Sequence, residues 1–354
     1  MRGRRKVRPR PQQLASDNYS GLCPEALLSL SEVNSGHELS YGRDRFTAEA
    51  CDLIRDIFER ECEVFFVFNG TAGNALAIAS LCQSYHSIIC HRLAHVETDE
   101  CGAPEFFSHG AKLLLAEGHE GKISPDGIEN IVTRRTDIHY PKPRVVSVTQ
   151  ATEVGTVYTR AELLRVREMA NAHSLKLHMD GARFANAVAS LDVAPRELTV
   201  DVGVDVLVLG GSKNGLGVGE AVIFFDLESA QEFDYRCKQA GQLAAKMRFI
   251  AAQWLGALRS GAWLRHAQHA NRCAAVLEQE LRAIPEVSIM FPREANSVFV
   301  KMPEEVIASL QSRGWIFYTF IGEGGARLMC SWDTSDETIR SFVDDLKAAI
   351  TQSQ

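Results

Sequence analysis

The sequence predicts an α/β protein with a mostly parallel sheet flanked by helices, followed by a smaller α+β C-terminal domain. Short, continuously apolar segments alternate with helical stretches through the middle of the chain, which is typical of parallel strands covered on both faces. Polar residues follow the ends of these segments, where doubly wound sheets bind ligands. With 354 residues, 45% of them hydrophobic, the chain is long enough to bury a large core.

Seven apolar segments are expected to form the sheet of the large domain. They are VFFVF (64–68), SIIC (87–90), AKLLLA (111–116), RVVSVTQ (144–150), LKLHM (175–179), VDVLVLGG (204–211) and AVIFF (221–225). Between them, NGTAGN opens one helix and TRAELLRVREMANAHS predicts another. From residue 246 a long helical region leads to NSVFVKM, IFYTFI, ARLMCSW and a last helix. We therefore predict a large domain over 14–245 and a small C-terminal domain over 246–354.

Residues 1–13 are predicted to form a disordered basic tail. The first ten, MRGRRKVRPR, carry six basic residues and no acidic one, and no apolar signal segment follows them. The net charge of −7 does not indicate nucleic-acid binding, and no apolar run reaches the roughly 18–20 residues of a membrane helix. The nine cysteines form no CxxC pair, which predicts reduced thiols in a cytoplasmic protein, without a metal site or a disulfide framework.

Gly70 and Thr71 open the helix that follows the first predicted strand. Free N–H groups and a hydroxyl at a helix N-terminus are suited to binding phosphate, although an ordinary helix cap is the alternative interpretation. GTAGN matches neither GxGxxG nor a P-loop, and neither does GSKNGLGVG at 211–219. The pattern therefore matches no common nucleotide-binding template, and by itself it leaves both a phosphate site and an ordinary helix cap open.

Lys213 and Asp180 each follow a predicted buried strand. A lysine in that position is suited to attack a carbonyl, the alternative being an exposed lysine whose stem covers apolar surface. An ionised aspartate keeps a pyridinium nitrogen protonated, which makes the ring an electron sink. A phosphate site, an aspartate, a stackable imidazole and a lysine together indicate pyridoxal 5'-phosphate (PLP).

The motifs FNGTAGN, AHVETDECGAPEF, HMDGARFANA and GGSKNG resemble those of the low-specificity L-threonine aldolases. These enzymes form part of the β-eliminating lyase group of fold-type-I PLP enzymes. The resemblance runs from ASDNYSG at residue 15 to GGARLMCSWD at residue 333. It implies a fold-type-I PLP-dependent transferase-like fold and an aldehyde-lyase activity.

The resemblance also implies roles for individual residues. For the cofactor it implies a Schiff base at Lys213, the ring nitrogen at Asp180, ring stacking by His95, the ring oxygen at Arg183 and the phosphate at Gly70, Thr71 and Ser212. For the substrate carboxylate it implies Arg183 and Arg327, with Ser16 as a helper. Tyr41 resembles a tyrosine that reaches a neighbouring subunit, and Lys246 or Arg248 resembles a residue that reaches a phosphate there. We therefore expect a homo-oligomer, a dimer or a dimer of dimers (a homotetramer).

The resemblance does not assign the general base, because the chain departs from the family pattern there. Many members have ENTHN where this chain has QATEV, so Glu153 replaces a histidine associated with the substrate hydroxyl. The candidates are His95, Glu153 and a bound water, and we favour His95 with a water. Glu100 either orients His95 or is a solvated helix acid.

We expect the protein to cleave L-threonine, L-allo-threonine and related L-β-hydroxy-α-amino acids to glycine and an aldehyde. One alternative keeps the cofactor and prefers phenylserine-type substrates, or catalyses β-elimination or transamination. The other is a non-catalytic protein that binds a small molecule. The amino-acid substrate is the expected partner, with no nucleic acid and no membrane.

Overall fold

The structure, a computed structural model, describes residues 12–320 and 324–353. Most of the predicted basic tail, residues 1–11, lies outside this part of the chain, as does Ile321, the last residue of the predicted segment IFYTFI. Gln12 and Gln13, which the prediction assigns to the disordered tail, instead form a short strand that pairs with Trp315–Ile316. No helix in the described residues is long and apolar enough to cross a membrane.

The strands and helices of the described residues alternate through the first two thirds of the chain. The strands are β1 (Gln12–Gln13), β2 (Glu63–Val67), β3 (His86–His91), β4 (Lys112–Ala116), β5 (Gly118–His119), β6 (Lys122–Ile123), β7 (Lys142–Thr149), β8 (Lys176–Gly181), β9 (Val206–Leu209), β10 (Glu220–Phe224), β11 (Ser288–Ile289), β12 (Ser297–Lys301), β13 (Trp315–Ile316) and β14 (Gly325–Met329). The α-helices are α1 (Pro24–Val33), α2 (Arg45–Phe58), α3 (Gly70–Leu81), α4 (His95–Thr98), α5 (Ala103–Phe107), α6 (Pro125–Arg134), α7 (Arg160–Ala172), α8 (Phe184–Leu191), α9 (Phe233–Gln239), α10 (Arg248–Arg259), α11 (Ala262–Arg282), α12 (Glu304–Ser312) and α13 (Asp336–Ser353).

The central sheet has seven strands in the order β2-β10-β9-β8-β7-β3-β4. β10 is antiparallel to both of its neighbours, and the other pairs are parallel. This confirms the predicted mostly parallel sheet. In the register of the parallel strands, Asp180 lies between Thr149 of β7 and Val208 of β9, so the carboxyl ends of the three strands meet at one edge.

Apolar cores cover both faces of the sheet. One contains Val67, Val208 and Val222 of the sheet with the apolar side of α3. There α3 approaches the strands closely, since a Cβ atom on Gly73 would lie 2.6 Å from Val208 Cγ1. This close approach carries the N-terminus of α3 to the edge at which the strands end.

The C-terminal part builds a second core beneath the three-stranded sheet β11-β12-β14. This core begins at Cys273 within α11, and it includes Leu14 from the start of the chain. The small domain is predicted to start at residue 246, but Trp254 and Leu255 of α10 pack in the core of the large sheet. The reason is that α10 lies against α1 and α2. The division into two domains stays a prediction.

Candidate active site

A cavity of about 200 Å³ opens at the carboxyl edge of the central sheet. The N-terminus of α3, the end of β8 and the turn after β9 meet there, and they bring Gly70, Thr71, Asp180, Ser212 and Lys213 to its wall. A second cavity of about 610 Å³ adjoins it and shares His95 and Lys213 with it. The structure therefore places most of the predicted site residues around one continuous space.

The first turn of α3 forms one end of the smaller cavity. The Asn69 side chain accepts the Ala72 N–H at 2.9 Å and so caps the helix. The N–H groups of Gly70 and Thr71 lie in the first turn, where a helix offers no carbonyl partner. These groups and the Ser212 hydroxyl line the same space, so an anionic group is well suited to this end.

Glu220 is a carboxylic acid in the wall of this cavity that the sequence analysis did not identify. Its carboxylate accepts the Gly211 N–H, and the residue is buried. Burial raises the pKa of Glu220, although hydrogen bonds from Gly211 and Ser212 oppose the shift.

Asp180 stands at the tip of β8 with a side chain that is 2% exposed. One carboxylate oxygen accepts the Ala182 N–H at 3.0 Å, and the other accepts the Asn74 side-chain amide at 3.0 Å. Among the described residues no cationic side chain forms an ion pair with it. A buried carboxylate with only neutral donors is costly, and the open cavity beside Asp180 therefore fits a ligand that brings a cationic N–H.

His95 and Glu100 form a hydrogen-bonded pair at the cavity wall. His95 Nδ1 lies 2.9 Å from Glu100 Oε1, which also accepts the Asn74 amide at 2.8 Å. Burial disfavours the charged ring, but the bond to Glu100 and the charges of Asp180 and Glu153 outweigh it and raise the pKa of His95. Burial also raises the pKa of Glu100, so the pair is expected to share one proton.

Asn74 therefore links the His95–Glu100 pair to Asp180. Its amide donates to both carboxylates, which places the pair and the tip of β8 in one hydrogen-bond network. His178, two residues before Asp180 on β8, does not join this network. It bonds to Ser147 at 2.9 Å, and burial lowers its pKa to about 4, which keeps the ring neutral.

Arg183 is held by Asp17, an acid that the sequence analysis did not assign. Arg183 Nε and Nη2 donate to the two carboxylate oxygens of Asp17 at 2.7 and 3.0 Å, and Asn296 donates to one of them at 3.1 Å. Burial opposes the charge on Asp17, but Arg183 outweighs it and lowers its pKa. Three N–H groups of Arg183, two on Nη1 and one on Nη2, have no hydrogen-bond partner among the described residues, so its predicted contact with substrate depends on these terminal nitrogens.

Arg327 has more free hydrogen-bonding capacity than Arg183. Its Nη2 donates to the Ala15 carbonyl at 3.1 Å, and its buried Nε has no hydrogen-bond partner among the described residues. The guanidinium lies 5.0 Å from the centre of the Tyr318 ring. Burial and the neighbouring Arg183 lower the pKa of Arg327, which makes an anionic ligand favourable beside it.

The other predicted residues lie at different distances from this centre. Glu153 lines the larger cavity and has a buried Oε1 without a hydrogen bond, and Ser16 lines it as well. The Ser16 hydroxyl accepts the Asn18 N–H at 3.1 Å. Tyr41 lies on another surface, where Lys238 Nζ is 4.6 Å from its ring centre. Within one chain the structure therefore does not bring Tyr41 to the cavity.

Asp17, Asn74 and Glu220 are the site residues that sequence reasoning missed. Asp17 and Asn74 lie within the quoted motifs ASDNYSG and FNGTAGN, but nothing in their spacing indicates their partners. For Asp17 a physical argument was available, because an arginine predicted at a buried strand end needs an acidic partner. Glu220 opens a strand and carries no such signal.

Comparisons with known proteins agree with this geometry. A family model described as beta-eliminating lyase matches residues 13–305. The low specificity L-threonine aldolase of Pseudomonas aeruginosa is 60% identical over 336 residues, which cover 95% of this chain and 97% of that protein. The structure of Leishmania major threonine aldolase superposes with a TM-score of 0.90 at 28% identity, covering 96% of this chain and all of that one. The chain therefore belongs to the beta-eliminating lyase family, in the group of the low specificity L-threonine aldolases.

Proposed function

We propose that this protein cleaves L-threonine, L-allo-threonine and related L-β-hydroxy-α-amino acids to glycine and an aldehyde, with PLP as its cofactor. The observation that carries the proposal is the placement of Lys213 and the buried, uncompensated Asp180 in one cavity below the N-terminus of α3. The names of the relatives, which are L-threonine aldolases, support the same reaction.

The residues of the smaller cavity fit PLP by their chemistry. Gly70, Thr71 and Ser212 would hold the phosphate, and Asp180 would hold the protonated ring nitrogen that its buried carboxylate lacks. Lys213 would hold the aldehyde carbon, and His95 would stack on the ring. When bound, PLP supplies an electron sink for the electron pair of the Cα–Cβ bond.

The arginines orient the substrate by its carboxylate. Arg327 is the main candidate, since its buried Nε has no hydrogen-bond partner among the described residues. Arg183, whose Nε donates to Asp17, can contribute N–H groups of Nη1 and Nη2. A guanidinium binds a carboxylate through two parallel hydrogen bonds, which restricts rotation about the bond to Cα. The Tyr318 ring beside Arg327 keeps water from one side of the guanidinium.

The His95–Glu100 pair is placed to move protons at the substrate hydroxyl. Glu100 holds Nδ1, so Nε2 of His95 is the nitrogen available to accept the hydroxyl proton, directly or through a water. Glu153 lines the same cavity as the second candidate base. In the overall reaction the Cα–Cβ bond breaks, the hydroxyl proton leaves and Cα gains a proton, so the atoms balance as aldehyde plus glycine.

The larger cavity also favours β-substituents bigger than a methyl group. It encloses about 610 Å³, and Leu93, Tyr318 and Phe320 contribute apolar surface to it. This supports acceptance of phenylserine-type substrates by the same site. Release of benzaldehyde from phenylserine, compared with acetaldehyde from threonine, measures that preference.

The decisive experiment is aldehyde release from L-threonine by the purified protein, with Lys213→Ala as the paired variant. Aldehyde and glycine in equal amounts from the wild type, and none from Lys213→Ala, is the expected result. 2-Oxobutanoate and ammonia would identify β-elimination of the threonine hydroxyl instead. A colourless protein that borohydride does not label at Lys213 would contradict the cofactor assignment and favour a binding protein.

We also propose a cytoplasmic homo-oligomer. Tyr41 is 42% exposed. Arg248 lies two residues after Lys246, and its buried Nε has no hydrogen-bond partner among the described residues. Both features suit a surface completed by a second copy of the chain. Sedimentation of a fully active monomer would contradict this proposal.

A further inference from the structure

A second cluster of metal-ligating side chains lies outside the candidate active site. Cys23 caps the start of α1, Glu25 lies in its first turn, and His266 projects from α11. One potential ligand atom from each residue lies within 4.8 Å of the others. These residues are far apart in the sequence, so the search for CxxC spacing could not detect them.

The spacing of the cluster matches metal coordination. His266 Nε2 and Glu25 Oε2 are 3.5 Å apart. Two such ligands at about 2.05 Å from a tetrahedral Zn²⁺ lie about 3.4 Å from each other. Glu25 Oε2 is buried and has no hydrogen-bond partner among the described residues, so this oxygen is available as a ligand.

The surroundings of His266 also suit a metal ligand. Its other nitrogen, Nδ1, is buried against the turn at Asn214 and Gly215, since a Cβ atom on Gly215 would lie 3.4 Å from it. A histidine that binds a metal commonly directs its second nitrogen to a backbone carbonyl, and the Asn214 backbone lies there. Trp332 packs against the ring with centroids 5.3 Å apart, which restricts its orientation.

We propose that Cys23, Glu25 and His266 form a Zn²⁺ site, with a water as the fourth ligand. A thiolate, an imidazole and a carboxylate are the ligand types that Zn²⁺ accepts in tetrahedral geometry. The Cys23 thiol releases its proton to solvent as the Zn–S bond forms, so one proton leaves for each ion bound. Glu25 and His266 side chains are 26% and 14% exposed, which gives the ion access from solvent.

The site is connected to the turn that carries Lys213. The Cys23 N–H donates to the Gly215 carbonyl at 2.7 Å, directly after the 3-10 turn Ser212–Asn214. The Asn214 amide in turn donates to the Trp263 carbonyl at the start of α11 at 2.6 Å. A bound ion would therefore fasten α1 and α11 to this turn, and we expect Zn²⁺ to raise the thermal midpoint of the protein.

Co²⁺ titration of the purified, chelator-treated holoprotein tests the site. Tetrahedral Co²⁺ has visible d–d bands at longer wavelengths than the absorption of the cofactor. We expect bands that saturate at one ion per chain, that Zn²⁺ abolishes, and that are absent in Cys23→Ser. Glu25→Gln should bind Co²⁺ at least about tenfold more weakly. Because the Glu25 side chain is partly exposed, this variant is expected to fold, and it tests the proposal if Cys23→Ser does not fold.

Two cysteines provide matched controls. Cys101 is exposed. Cys273 Sγ lies 3.4 Å from His269 Nε2, but among the described residues these two do not form a metal-ligating cluster with a carboxylate. Cys101→Ser and Cys273→Ser should keep the bands. Absence of saturable bands in the wild type, their persistence in Cys23→Ser, or their loss in Cys101→Ser would each overturn the proposal. Because the readout is the absorption of bound Co²⁺, failure of threonine cleavage would leave this result unaffected.

Discussion

Replacing Asp17 by asparagine removes the charge that faces Arg183 and keeps the size of the side chain. Both side chains are buried, with 1% and 6% exposed, so Arg183 would keep a charge without a counterion. Breaking a buried pair from one side costs about 3–5 kcal/mol. We therefore expect Asp17→Asn to lower the free energy of unfolding by about that amount, since one neutral amide oxygen would remain for the three N–H donors of Arg183 and Asn296.

Urea unfolding at constant cofactor concentration measures this loss, and Asp52→Asn is the matched control. Asp52 accepts from Arg55 at 2.8 Å, a distance similar to that between Asp17 and Arg183, but its side chain is 71% exposed. A surface pair of this kind contributes about 0–1 kcal/mol. The difference between the two variants isolates burial as the cause.

The pH dependence adds an independent check on the sign. Arg183 lowers the pKa of folded Asp17 below the ordinary value of 3.8. Its contribution to stability is therefore complete above pH 3.8 and declines as the pH falls from there towards the lowered pKa. Asp17→Asn should lack this decline. A loss below 1 kcal/mol at neutral pH, equal to that of Asp52→Asn, would refute the reasoning.

Three further predictions follow from the site and the sheet. Glu100→Gln should lower kcat about a hundredfold or more and shift the acid limb of the kcat/KM profile to lower pH. The reason is that the variant lacks the carboxylate that raises the pKa of His95, while burial still lowers it. An acid limb at the wild-type pH would contradict the pairing of His95 with Glu100. Asp180→Asn should reduce turnover about a hundredfold while unfolding changes by about 1 kcal/mol or less, since an amide oxygen still accepts the Ala182 N–H; unchanged turnover would refute the assignment. Gly73→Ala should cost about 1–3 kcal/mol in urea unfolding, because its Cβ would lie 2.6 Å from Val208, and an unchanged midpoint would show that α3 can shift.

Local patterns in the sequence were sufficient to predict the sheet and the edge at which the site lies. Strand β8 occurs where LKLHM predicts it, and its end places Asp180 at the carboxyl edge. Lys213 follows β9 in the same way. These predictions depend on alternation of apolar segments and on the rule that parallel strands end at one edge, and both are visible within a few residues.

Contacts between distant segments were not predictable in this way. Asp17, which follows β1, bonds to Arg183, which follows β8, and Asn296 joins them from the position directly before β12. The sequence nevertheless imposes one condition: each of these charged groups is buried, so each must have a partner of opposite charge or a ligand. Asp17 satisfies that condition for Arg183. Among the described residues neither Asp180 nor Arg327 forms an ion pair, and this is the physical reason to place a cationic ring nitrogen at one and a substrate carboxylate at the other.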